Sequence, residues 1–248
     1  MPDGSRSAMK KINKGSPPTE LTNWRTNNAT VPQNLFYGLA DFPQVQILDS
    51  LLKEQGYVCA YTLKRISNES AHVEHLKPQT LCKSEDGVRE ATGQRRLRED
   101  IAWNNMVACF PEPNPVARPE YGAVKKDKWW HAVDFVSPLL PNCEDRFQYS
   151  PDGTISSLLP TDTPARTTIQ NIGLDNKKLC ELRKAAFMSA GIHRKAKSPI
   201  TSVAKVEQLI AKWSKKDTET KSCAEFCVPL VQIAKEHAKF LRARGNTE

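Results

Sequence analysis

An α+β fold is predicted by two changes of period along the 248-residue chain. Apolar residues recur at helical spacing in the first third, then give way to short β-prone runs, and from residue 177 helical spacing returns and persists. A Pro-rich middle without period separates the two regions.

The N-terminal 40 residues form a basic, Pro-containing arm, and MPDGSRSA, ahead of Met9, reads as an extension, native or added. DFPQVQILDSLLKEQGY then carries the signals of a helix: Asp41 as N-cap, Pro43 in the first turn, Val45, Leu48, Leu51 and Leu52 on one face, and Gly56 as the stop. YVCAYT and AHVEHL are β-prone runs separated by the polar turn RISNES, which predicts a hairpin. Residues 83–100 have no apolar periodicity and read as an exposed charged loop, followed by the apolar island WNNMVACF. Prolines 138, 141, 151, 160 and 164 predict sparse regular structure over residues 136–176.

Beyond residue 177, Leu179, Leu182, Ala186 and Phe187, then Val203, Val206, Ile210 and Trp213, then Cys223, Phe226, Cys227, Leu230 and His237 follow helical spacing. Three helices are predicted, with Pro229 kinking or splitting the last. The reading divides the chain into an arm (1–40), a core (41–135), a loop-rich connector (136–176) and a basic helical region (177–248).

The 39% apolar content suffices for a core, and no run of about 18 apolar residues suggests a membrane span or signal peptide, so a cytoplasmic protein away from membranes is expected. Seven scattered cysteines fit reduced thiols better than a disulfide framework. The net charge of +8 is concentrated at the C-terminus: residues 177–248 carry 16 Lys and Arg against 7 Asp and Glu. Such a segment suits phosphate contacts, or forms a solvated helical surface.

Two of the chain's five histidines flank a carboxylate in SAHVEHLKPQT. Phosphodiester hydrolysis needs a base that is neutral near pH 7 and a cation to offset charge on the phosphate, and a histidine beside a carboxylate supplies the means for both. Glu74 and His75 meet that specification. Strict alternation would send them to opposite faces, so the strand should break there, as Pro78 implies. An orienting group is also needed, and Asn104 and Asn105 are candidates. His72 could line the site or bond locally. Arg95, Arg96 and Arg98 could contact a nucleic-acid backbone or form a solvated charge run. Trp129, Trp130 and His131 could stack on bases or pack against the core, and Cys223 and Cys227 could ligate metal or lie buried on a helix face.

The series CAY (59–61), VEHLKP (73–78), WNNMVAC (103–109) and YGAVKKD (121–127) resembles the HNH nuclease motif. More closely, KKINKGSPP (10–18), HVEHLKPQ (72–79) and FVSPLLPNCEDRFQYSPDGTI (135–155) resemble the PtuB branch of that family, from Septu and retron-associated anti-phage systems. The resemblance implies a ββα-metal (His-Me finger) core with flanking helices, in which His75 is the general base, Glu74 a ligand of Mg²⁺ or Mn²⁺, and Asn105 the orienting residue. It implies a DNA or RNA substrate and an ABC-type ATPase partner (PtuA), in some systems with a retron reverse transcriptase and its noncoding RNA and DNA. The third metal position falls near Gly122, and Asp127 is the substitute. Thr62 and Glu112 stand where two zinc-binding cysteines would, so no structural zinc is expected. A nucleic-acid-binding or assembly subunit without activity is the alternative.

Overall fold

The computed structural model describes residues 9–39 and 41–245, Pro32 by its backbone alone, so the MPDGSRSA extension lies outside the described residues. The described chain is α+β, with helices around two separate two-stranded antiparallel sheets. Its apolar core runs without a break from Met9 to Leu241.

The arm is anchored. Ile12 N–H donates to the Pro138 carbonyl at 2.9 Å, and the Lys14 ammonium lies 2.7 Å from Glu54 and 3.6 Å from the centre of the Trp103 ring. The arm also holds helix α1 (Thr19–Asn27), which the sequence reading lacks. It buries only Leu21 and Trp24, one turn apart, and Trp24 packs edge-on against Phe42 with centroids 4.9 Å apart.

Helix α2 (Gln44–Gln55) starts later than predicted. Asp41 adopts a left-handed φ of 65°, outside the extended range an N-cap uses, and Pro43 takes the capping position. The buried face is Ile47, Leu51, Leu52 and Gln55, while Val45 is 75% exposed. Gly56 ends the helix at φ 67° as expected.

Strand β1 (His72–His75) pairs antiparallel with β2 (Met106–Cys109), Glu74 opposite Val107 and His75 opposite Met106. The predicted hairpin between YVCAYT and AHVEHL therefore does not form. The first run folds instead into a tight turn closed by the Val58–Arg65 bridge. It reaches the sheet from the far side of β2, where Ala60 N–H donates to Ala108 O at 3.1 Å. Buried Gln55 completes that edge: its amide donates to Ala108 O at 2.8 Å and accepts from Ala108 N at 2.7 Å. β2 is buried on both faces, which is why its run is uniformly apolar.

Half of the predicted charged loop, residues 83–91, belongs to helix α3 (Gln79–Ala91). It buries Cys82 and Asp86, so its inward face has no apolar signature. The Asp86 carboxylate accepts from the backbone N–H groups of Leu97 and Arg98 at 2.6 and 3.0 Å, fixing the segment that follows. A single turn, α4 (Ala123–Lys126), lies beyond β2.

Residues 136–176 are more ordered than their prolines suggest. Strands β3 (Phe147–Tyr149) and β4 (Ile155–Ser157) form a hairpin, followed by α5 (Thr163–Ile172). Asp162 caps α5 by accepting from Ala165 N–H, and pairs with Arg146. Gly153, at φ 88°, has no substitute: a Cβ there would lie 2.0 Å from Cys180 O.

The three C-terminal helices are present as α6 (Lys177–Ser189), α7 (Val203–Trp213) and α8 (Cys227–Ala243). Pro229 sits in the first turn of α8, where its missing N–H removes no intrahelical bond, so it neither kinks nor splits the helix. Cys223 and Phe226 precede α8, donating from their N–H groups to Gly56 O (2.8 Å) and Leu63 O (2.9 Å). Among the described residues, no helix is long and apolar enough to cross a membrane.

Candidate active site

β1 keeps its alternation through His75, so Glu74 and His75 leave opposite faces and the expected break between them does not occur; the strand ends only after His75, where Leu76 N–H turns to the Asn105 carbonyl at 2.9 Å. Val73 and His75 face the interior, whereas His72 and Glu74 share the more open face, in keeping with a two-residue period.

The His75 ring is buried, and both nitrogens have partners. Nε2 lies 2.8 Å from the carbonyl oxygen of Asp100, which can only accept, so Nε2 carries the hydrogen. Nδ1 then holds the lone pair and meets the Gln79 side-chain amide at 3.2 Å. Tyr37 stands edge-on to the ring, centroids 4.5 Å apart. Burial holds the imidazole below its ordinary titration range, opposed by the Asp100 carbonyl bond and by Glu74, so it is neutral at pH 7.

Asn105 does not touch the His75 ring. Its Oδ1 accepts from Lys77 N–H at 2.8 Å, and its Nδ2 donates to the carbonyls of Lys77 (3.0 Å) and Glu99 (2.9 Å). It thus clamps the backbone just after His75 to the turn at residues 99–101, whose Asp100 carbonyl holds Nε2. The orienting action runs through the main chain.

Glu74 is engaged on both oxygens. Lys126 Nζ donates to Oε1 at 2.8 Å and to the His75 carbonyl at 2.9 Å, and its side chain is fully buried. His72 Nε2 faces Oε2 at 3.7 Å, while His72 Nδ1 donates to Pro111 O at 2.5 Å. Burial works against the Glu74 charge, but His72 and Lys126 outweigh it and hold the carboxyl below its usual range. Burial likewise opposes charge on His72, and its bonds to Glu74 and the Pro111 carbonyl raise it above the ordinary histidine value.

Asp127 does not lie against Glu74 in the way the substitute metal position was expected to. That residue is exposed at the end of α4, and the turn directs its neighbour Lys126 to Glu74 instead. Gly122, the other candidate position, packs toward Thr62 and Phe110. Tyr61 is buried, and its hydroxyl has no hydrogen-bond partner. Burial, reinforced by the Glu74 charge, keeps that phenol strongly protonated.

Cys59 and Cys109 remain from the two cysteine pairs. Burial would push the Cys59 thiol up, but hydrogen bonds from Cys109, Thr62 and Phe110 N–H bring it down to about 6. Cys223 and Cys227 form a separate buried pair. Among the described residues, no three His, Cys, Asp or Glu side chains group as a metal site.

The arginines lie on the segment joining α3 to the 99–101 turn. Arg95 is exposed and its carbonyl accepts from Arg89, Arg96 pairs with Glu90, and Arg98 donates to the Leu35 carbonyl at 2.9 Å. Arg98 thereby also has a structural task. Trp129 packs edge-on against Phe135 (5.7 Å), Trp130 lies 5.3 Å from the Lys77 ammonium, and His131 pairs with Asp134. Sequence reasoning missed Lys126, Gln79 and Tyr37. Gln79 alone left a signal, four residues after His75 at the head of a helix.

No family model matches the chain. It is 26% identical over 188 residues, covering 71% of this chain and 81% of the relative, to a protein of Vibrio cholerae serotype O1 biovar El Tor named "Retron Vc95 putative HNH endonuclease". The chain is thus a distant relative of a retron-linked protein of HNH name, across a stretch long enough to include more than its central motif.

Proposed function

We propose that the chain is an HNH-type endonuclease that hydrolyses nucleic-acid phosphodiester bonds with a divalent cation and works in a retron-linked anti-phage system. The observation that carries this reading is His75: a buried, neutral imidazole whose Nε2–H is fixed on the Asp100 carbonyl, leaving Nδ1 as the one lone pair. That is the state of a general base. The Gln79 amide now meets Nδ1, and an attacking water takes that place when Nδ1 accepts its proton. Asn105 keeps Nδ1 in position by clamping the chain on both sides of the ring.

The residues fit a cation. Lys126 takes Glu74 Oε1, and Oε2 faces the His72 ring at 3.7 Å, which leaves it the oxygen open to an ion. Glu74 would hold the ion, which when bound supplies positive charge to the phosphate and the departing oxygen. The likeness to PtuB proteins supports an ABC-type ATPase as partner, and the relative's name supports the retron link. The Lys126–Glu74 pair favours a second reading, a binding subunit without activity, since an ammonium already neutralises the carboxylate.

One experiment separates the readings. Supercoiled plasmid and single-stranded RNA are incubated with the chain, alone and with the ATPase, in Mg²⁺ or Mn²⁺ and then with EDTA. Cleavage that stops in EDTA and in a folded His75→Ala variant is expected. Undiminished cleavage by that variant would refute the assignment of His75, and no cleavage under any condition would favour the binding subunit.

A further inference from the structure

The cation site of this chain has a donor that the motif does not name. We infer that His72 is the partner of Glu74 in holding the ion, and that its imidazole makes the site favour a first-row transition ion such as Mn²⁺ over Mg²⁺. The inference deepens the nuclease reading and rests on it.

The argument begins with the strand. His72 and Glu74 stand two residues apart on β1, so their side chains leave the same face, and β2 fixes both through the pairs His72–Cys109 and Glu74–Val107. Their alignment follows from what holds each one. The Pro111 carbonyl takes the Nδ1 hydrogen of His72, so the lone pair of the neutral ring is on Nε2, and an ion binding there displaces the proton that otherwise joins Nε2 to Glu74. A carbonyl fixing the remote nitrogen is the usual support of a metal-bound histidine. On Glu74, Lys126 occupies Oε1, and Oε2 is the oxygen left facing His72.

The spacing suits a shared ion. Two donors about 2.1 Å from one metal lie about 3.0 Å apart at a right angle and about 4.2 Å apart in line. The Nε2–Oε2 separation of 3.7 Å falls between these limits, so one ion fits without backbone movement. Both side chains retain solvent contact, 21% for His72 and 15% for Glu74, so an ion and a phosphate can reach them.

Two protein donors leave the remaining positions to water and phosphate oxygens. The donor set also ranks the ions: imidazole suits transition metals, whereas Mg²⁺ takes oxygen donors almost exclusively. Lys126 already balances the Glu74 charge, so the ion's own charge is compensated by the phosphate, and phosphate should tighten ion binding.

Pulsed EPR of Mn²⁺ added to the full chain, with and without inorganic phosphate, tests this directly. One directly bound imidazole nitrogen is expected in the wild type and in His75→Gln, and none in His72→Gln, whose Mn²⁺ affinity falls by about 10- to 100-fold. His72→Asp, which restores an oxygen donor, should keep binding while shifting the preference toward Mg²⁺. A nitrogen signal that survives in His72→Gln, its absence from the Mn²⁺-bound wild type, or Mn²⁺ binding no tighter than in Glu74→Gln would overturn the inference. Cleavage that needs His75 and a cation but shows no bound nitrogen removes the role of His72 and leaves the nuclease standing. A bound nitrogen without cleavage does the reverse.

Discussion

Lys126 reaches Glu74 from inside the protein: its ammonium lies 2.8 Å from the carboxylate, and none of its side chain is exposed. A lysine so placed depends on that carboxylate, because an unpaired buried charge is costly. Lys126→Met should therefore destabilise the chain by about 3–5 kcal/mol, and Glu74→Gln in the same background should recover much of the loss. Urea titration of the two single variants and the double variant gives the coupling. Additive losses would show that the pair is not a structural unit.

Asn105 is expected to act through the backbone. Asn105→Asp keeps the acceptor for Lys77 N–H but loses both donors, whereas Asn105→Ala loses all three bonds. Each buried group left without a partner costs about 1–3 kcal/mol, and Asp also turns a buried carboxylate oxygen toward two carbonyls, so Asp should be at least as damaging as Ala. Hydrogen exchange should report faster opening at Lys77 and in the 99–101 turn, together with loss of cleavage. Unchanged protection at Lys77 would mean that the clamp is not what orders this loop.

The Arg95–Arg98 segment leads to the turn that holds His75. If Arg95 and Arg96 each meet a phosphate, replacing both by Ala lowers the slope of log affinity against log salt by about 0.9 per lost contact on duplex DNA. Filter binding across a salt series measures it. Arg98→Ala should instead lower stability, since its guanidinium holds the Leu35 carbonyl.

Asp162 links pH to stability. Burial disfavours its charge, but Arg146 and the Ala165 N–H outweigh burial and hold the carboxyl below its ordinary 3.8. A carboxyl lowered in the folded state adds stability above the unfolded value and loses it as pH falls through the folded one. Asp162→Ala should therefore cost about 0.5–2 kcal/mol at pH 7, as an N-cap does, and the gap to wild type should narrow as pH falls below 3.8. Denaturant midpoints at pH 7 and pH 3 decide it.

Much of the fold and part of the site could be read from residue types alone. The C-terminal helices announce themselves because apolar residues repeat on one face, and Gly56 marks a helix end because it turns left-handed there. The pairing of β1 with β2 was hidden, since nothing in AHVEHL names a partner some thirty residues on. Helix α3 was hidden because its inward face is a cysteine and an aspartate rather than leucines. Glu74, His75 and Asn105 are legible as chemistry in a short motif. Lys126 is not: a lysine reads as solvated until the fold shows its stem buried and its ammonium paired.

Gln55 carries one more consequence. By filling both the N–H and the carbonyl of Ala108, its amide takes the place of a neighbouring strand along the outer edge of β2. A fully apolar strand with an open edge invites pairing with another chain, and here the Gln55 amide and the Ala60 N–H together close that edge. Gln55→Leu would keep the volume but leave the buried Ala108 N–H without a partner, a loss of about 1–3 kcal/mol that urea titration would read as weakened anchoring of the central strand.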